Sequence, residues 1–222
     1  MNSVVPFLDD SLVPAVRGFL HSPADPNGDA LILTHGAGSN CNAPLLVALG
    51  ESFAANGYIV LRCDLPFRQE RRTGPPFPGN AERDRMGLRN AVTALRKTVA
   101  GLLFLGGHSY GGRQSTMLCA NSGEPDQLSG LLLLSYPLHP PRKPEQLRTQ
   151  HLPNLRTPSL FIHGTRDPFG SIQEMTKALQ LIPAKTELVT IEAAGHDLGF
   201  TTKTKSSDLP QLVVSSFVSF FR

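Results

Sequence analysis

Hydrophobic positions along this chain follow two rhythms that alternate almost from end to end. Continuous apolar runs at 30–35 (ALILTH), 58–63 (YIVLRC), 102–106 (LLFLG), 130–136 (GLLLLSY) and 159–164 (SLFIHG) predict strands covered on both faces. AVRGFL at 15–20 and ELVTIE at 187–192 predict two more. Between them the spacing turns helical. Over 43–56, Leu45, Leu49 and Phe53 share a face, with Asn42 as the expected cap, Pro44 in the first turn and Gly57 as the stop. Over 81–98 the stripe is Leu88, Ala91, Val92, Leu95 and Val99. Glu82 and Asp84 stand in its first turn and Arg96 and Lys97 in its last, as the helix dipole favours. Further helices are expected at 110–121, 171–182 and 209–222, while 64–80 and 137–157 hold too much Pro and Gly for regular structure.

Strands separated by helices imply right-handed crossovers and a mostly parallel central sheet. The expected fold class is α/β, a three-layer α/β/α sandwich forming one domain over residues 1–222. Only about 22 residues separate the strands ending near 136 and starting near 159, too few for a large helical lid.

Composition narrows the classes. A net charge of +3 is too small to imply a nucleic-acid partner. Cys41, Cys63 and Cys119 are widely spaced with no CxxC pair, which argues against a disulfide scaffold or a zinc site and for a reducing compartment. The N-terminal stretch carries Asp9 and Asp10 and no basic region, and no apolar run is long enough to span a bilayer. The expectation is a soluble, cytoplasmic protein that does not bind membranes.

In a parallel α/β sheet, ligands bind beyond the carboxyl ends of the strands, so the residues following each strand carry the chemical information. After LLFLG comes G-H-S-Y-G (107–111), then Gly112 and a helix. A strand-to-helix turn this sharp pushes the Ser109 hydroxyl into the cleft, strains its backbone and calls for glycine on either side. Asp167 follows SLFIHG and His196 follows ELVTIE, giving the chain order Ser…Asp…His. In that reading Ser109 is the nucleophile, His196 moves its proton, and Asp167 fixes the imidazole tautomer. Asp64, beyond the strand at 58–63, is the rival acid. H-G-A-G-S-N (35–40) turns back over the cleft, so the backbone N–H groups of Ala37 and Tyr110 are the expected oxyanion donors. Each motif alone also reads as an ordinary glycine-rich turn, and neither of the usual phosphate-cradling glycine patterns is present.

With H-G-A-G at 35–38, G-H-S-Y-G at 107–111, H-G-T-R-D at 163–167 and G-H at 195–196, the sequence resembles the α/β-hydrolase family over nearly its whole length. YPLHPP (136–141) and HGTRDPFG (163–170) make it similar to a small lidless group related to dienelactone hydrolases. The resemblance implies a carboxylic-ester-type hydrolase. Dienelactone hydrolases carry a cysteine nucleophile, and Ser109 departs from that, so lactone specificity does not carry over.

The expected activity is hydrolysis of a small or exposed acyl substrate through an acyl-enzyme, without metal or organic cofactor. Loop 64–80 carries Arg68, Arg71 and Arg72, and loop 137–157 carries Arg142, Lys143, Arg148 and Arg156. The basic residues of both loops, Arg71 and Arg72 foremost, are therefore candidate anchors for an anionic substrate, against the plainer reading of solvated charge. Arg113, on the first turn after the serine, is placed to reach either the cleft or a neighbouring carboxylate. Phe67, with Phe77 and Phe169, is a candidate pocket wall, against plain packing. His35 and His163 read as structural histidines, and His108 should point away from the nucleophile. The alternatives are a non-catalytic binding or scaffold protein on the same fold, and perhydrolysis with the same residues.

Overall fold

The computed structural model describes residues 1–121, 128–200 and 208–222. Among them, eight strands pair into one sheet in the order β1-β2-β4-β3-β5-β6-β7-β8. They are β1 (Ser3–Asp9), β2 (Val16–Ser22), β3 (Ala30–Thr34), β4 (Ile59–Cys63), β5 (Leu103–His108), β6 (Gly130–Leu134), β7 (Ser159–Gly164) and β8 (Thr186–Ile191). β1 and β2 run antiparallel to their neighbours, and every pair from β4 to β8 is parallel. The continuous apolar runs mark the middle of the sheet: β3, β6 and β7 are buried at every position.

Among the described residues, six helices cover the two faces: α1 (Pro44–Ala55), α2 (Pro66–Glu70), α3 (Asn80–Arg96), α4 (Tyr110–Asn121), α5 (Ile172–Leu179) and α6 (Leu209–Phe221). Two cores result. One packs Leu88, Ala91, Leu95 and Met175 of α3 and α5 against the sheet. The other joins Leu46, Leu49 and Phe53 of α1 to Val213 and Phe217 of α6, where Phe53, Tyr58, Phe104 and Phe217 meet edge to face. The fold is a three-layer α/β/α sandwich with no separate lid. The β6–β7 connection holds a single 3₁₀ turn at Leu152–Asn154 and buries Tyr136, Leu138, Leu152 and Leu155. Among the described residues, no helix is long and apolar enough to cross a membrane.

Three local expectations need correction. β1 lies in a stretch for which the sequence pattern predicts no strand. Its burial is weak, and it is ordered by pairing with β2 along its whole length. Loop 64–80 contains α2, started by Pro66 and anchored by the buried Asp84 carboxylate, which accepts the Phe67 N–H at 3.0 Å. Asp84 thus faces inward instead of serving the α3 dipole at the surface. Asn42 does not cap α1: the helix starts after Ala43 without a side-chain cap, and the Asn42 amide oxygen accepts from the Arg62 guanidinium at 3.3 Å.

Candidate active site

The sharpest turn at the carboxyl edge lies between β5 and α4. Ser109 sits there with φ of 51°, a left-handed conformation that a non-glycine residue adopts only under constraint. Two bonds supply the constraint. The Ser109 N–H donates to the Leu134 carbonyl at 2.8 Å, and its carbonyl accepts from the Arg113 N–H at 3.0 Å as α4 begins. The flanking glycines are needed because β3 is close. A Cβ on Gly107 would lie 2.5 Å from the Thr34 carbonyl, and one on Gly111 would lie 2.6 Å from the His35 carbonyl. The collision avoided is thus with the backbone of the neighbouring strand and the residue that follows it.

The loops after β7 and β8 converge on this serine. His196 Nε2 lies 2.8 Å from Ser109 Oγ, and His196 Nδ1 lies 2.8 Å from Asp167 Oδ2. An ionised carboxylate can only accept, so Nδ1 carries the proton and Nε2 is left to accept from the serine hydroxyl. The Asp167 side chain is fully buried, and its second oxygen accepts the Phe169 N–H at 2.8 Å. Phe169 stacks on the imidazole, ring centroids 4.1 Å apart. The structure therefore brings Ser109, His196 and Asp167 into one hydrogen-bonded row.

The rival acid is engaged elsewhere. Asp64 accepts the Cys41 N–H at 2.7 Å and faces His35 at 3.5 Å. His35 uses both ring nitrogens on backbone: Nδ1–H donates to the Gly36 carbonyl at 2.9 Å, and Nε2 accepts the Leu65 N–H at 3.1 Å. Burial holds it neutral by pushing its pKa down. The ring thus fixes the entry to the 35–40 turn. His163 is likewise a brace, its Nε2–H donating to the Gly170 carbonyl at 2.8 Å.

Ala37 and Tyr110 both line the cleft that holds Ser109. Tyr110 opens α4, where backbone N–H groups have no intrahelical acceptor. Its hydroxyl donates to Asp84 at 2.8 Å, which ties the start of α4 to α3. The Ala37 turn is held from behind by Arg68, whose guanidinium donates to the carbonyls of Ala37 at 2.9 Å, Ser39 at 2.6 Å, Arg71 at 3.1 Å and Gly74 at 2.9 Å.

Three proposed substrate contacts fall outside this cleft. Phe67 is 3% exposed and packs edge-on against His35 and Tyr110, because the α2 turn directs it into the core. Arg71 bends back over the Phe77 ring, 4.1 Å from its centroid, and onto the Pro75 carbonyl. Arg72 is exposed, and neither arginine lines the cleft. Of the three phenylalanines, only Phe169 does.

The cleft, about 490 Å³, runs instead past Arg113, Pro137 and Arg148. His108 also lines it and is not turned away. Its Nε2–H donates to the His196 carbonyl at 2.7 Å, and burial depresses its pKa to about 4. This bond pins the His196 loop to the strand that carries the serine. Sequence reasoning missed the roles of Arg68 and His108, since the adjacency to Ser109 in the motif was the only signal for His108. Among the described residues, no group of three or more His, Cys, Asp or Glu side chains is gathered to hold a metal ion.

A family described as alpha/beta hydrolase domain matches residues 27–218. The structure is similar to a dienelactone hydrolase from Anabaena variabilis, at 21% identity and a TM-score of 0.75 over 100% of this chain and 99% of that one. It is also similar to XC6422 from Xanthomonas campestris, described as an a/b serine hydrolase without lid. There identity is 16% and the TM-score 0.77, over 99% of this chain and 95% of that one. Est1E from Butyrivibrio proteoclasticus aligns at 16% identity and a TM-score of 0.69, over 97% and 98% of the two chains. At these identities the likeness establishes the fold.

Proposed function

Since the chain belongs to the alpha/beta hydrolase domain family, we propose that it is a serine hydrolase cleaving carboxylic-ester-type bonds through an acyl-enzyme. The observation that carries this reading is the row Ser109–His196–Asp167, with both links at 2.8 Å and the serine held in a left-handed turn. A left-handed non-glycine residue costs on the order of 1–3 kcal/mol, and here it aims a hydroxyl at an imidazole lying in an open cleft.

In this mechanism the Ser109 Oγ–carbon bond forms as the hydroxyl proton passes to His196 Nε2. The buried Asp167 carboxylate stabilises the imidazolium. The carbonyl electron pair moves to oxygen, where the amides of Ala37 and Tyr110 are the proposed donors. Collapse breaks the bond to the alcohol, which takes the proton back from His196. Water then repeats the two steps on the acyl-enzyme and releases the acid. Arg68 and His108 act as positioning residues, one behind the oxyanion turn and one behind the imidazole loop. The lidless cleft suits small acyl groups, or acyl groups presented on a larger surface. Steady-state hydrolysis of a short p-nitrophenyl ester tests the reading: Ser109→Ala and His196→Ala should each lower kcat roughly 10⁴- to 10⁶-fold. Turnover at the parental rate in Ser109→Ala would refute it.

A further inference from the structure

The cleft wall leading away from Ser109 is positively charged, and no described carboxylate on it neutralises that charge. Arg113, one helical turn after the serine, and Arg148, on the β6–β7 connection, both line it, and no carboxylate does. Among the described residues neither guanidinium is ion-paired. The Arg113 Nε is buried without a hydrogen-bond partner. Among the described residues the Arg148 guanidinium has one acceptor, the Pro137 carbonyl at 3.3 Å from Nη1, while its backbone donates to the Leu138 carbonyl and accepts from the Tyr136 hydroxyl. Burial first, and then the Arg113 charge, disfavour the protonated form of Arg148. The two like charges thus share the lining of one cleft.

The inward-facing arginines elsewhere in this chain are treated differently. Arg68 satisfies four carbonyls, and Arg62 is held by His21, Cys41 and Asn42. The Arg113 and Arg148 side chains instead line the cleft with donor capacity that no described carboxylate takes up. A carboxylate there would accept from the planar guanidinium forks and offset their like charges.

Resting on the hydrolase reading above, we propose that Arg113 and Arg148 form an anion subsite, and that the preferred substrate is an ester carrying a carboxylate a few bonds from the scissile carbonyl. The Arg113 N–H is hydrogen-bonded to the Ser109 carbonyl at 3.0 Å, so this subsite and the nucleophile are fixed on one turn of backbone.

The test compares kcat/KM on p-nitrophenyl hemiglutarate and on its methyl-capped neutral counterpart. The parental protein should favour the anionic ester roughly 10- to 100-fold at low salt. Added salt should shrink that preference. Arg148→Gln and Arg113→Gln should each collapse the ratio, while Arg148→Lys, which keeps charge without the fork, should retain part of it. Arg148→Gln changes a half-buried side chain on a connection outside helix and strand and serves if Arg113→Gln fails to fold. Arg71→Ala, outside the cleft, should leave the ratio unchanged. Equal kcat/KM for the two esters, or a preference surviving in both glutamine variants, overturns the proposal. Free glutarate should inhibit competitively, and stronger inhibition by inorganic phosphate would overturn the carboxylate assignment. If a fluorophosphonate labels Ser109 and the neutral ester is cleaved without any anionic preference, only this inference falls. If there is neither labelling nor turnover, the hydrolase reading falls with it.

Discussion

Two histidine–carboxylate pairs stand at the carboxyl edge of the same sheet, each built from residues just beyond adjacent parallel strands. His35 and Asp64 follow β3 and β4, and Asp167 and His196 follow β7 and β8. Their distances are not very different: 3.5 Å in the first pair and 2.8 Å in the second. Their surroundings are. Both ring nitrogens of His35 are consumed by backbone, its side chain is fully buried, and its carboxylate neighbour is tied to the Cys41 amide. His196 gives one nitrogen to Asp167 and turns the other, in a ring 22% exposed, toward Ser109. A histidine near an acid at a strand end therefore becomes a brace or a proton carrier according to whether one nitrogen is left facing a nucleophile.

That comparison is broken most severely through the carboxylates. Asp167→Asn removes the acceptor that sets the His196 tautomer and should lower kcat roughly 10²- to 10⁴-fold. Asp64→Asn should lower it less than about tenfold, since Asp64 touches neither His196 nor Ser109. Ester hydrolysis by the two variants reads this directly, and comparable losses would mean the two pairs have been assigned the wrong way round.

Next in size is stability. His35→Ala leaves the Leu65 N–H and the Gly36 carbonyl without their buried partner and should cost about 1–3 kcal/mol in urea unfolding. His196→Ala, in a half-open ring position, should cost less. The order of the two urea midpoints is the readout.

The smallest effect is on pH dependence. Burial pushes His21, His108 and His151 down to about 4, and His35 down as well. Each is neutral when folded, while in the unfolded chain it takes up a proton below about pH 6.5. Their contribution is therefore complete above about pH 6.5 and is lost as pH falls toward 4. The urea midpoint should decline over that window, and more shallowly in His35→Ala, which removes one of the buried rings.

What the sequence reveals follows from how local each signal is. The central strands announce themselves because burial on both faces requires unbroken apolar runs, as in Leu131–Leu134. Ser109 and Asp167 are legible because each lies shortly beyond such a run, and His196 because it lies shortly beyond the strand pattern ELVTIE. β1 is not, because an edge strand with Pro6 in it and Val4, Val5 and Leu8 half exposed carries no pattern apart from its partner. The choice between Asp167 and Asp64 needs the spatial course of two loops. The arginines were the least legible. Arg68 meets Ser39 and Ala37 across 29 and 31 residues of chain, and whether a guanidinium finds a carbonyl or an open cleft is decided by contacts of that range. Of the loop cations considered as anchors, Arg148 lines the cleft together with Arg113, while Arg71 and Arg72 do not.

One measurement bears most directly on the row of hydrogen bonds at the carboxyl edge: intact mass and peptide mapping after exposure to a fluorophosphonate, with the parental chain and His196→Ala side by side. The account predicts one adduct per parental chain, on Ser109, and little or none in His196→Ala over the same time. Absence of an adduct on the folded parental protein, or equal labelling in the histidine variant, would contradict it.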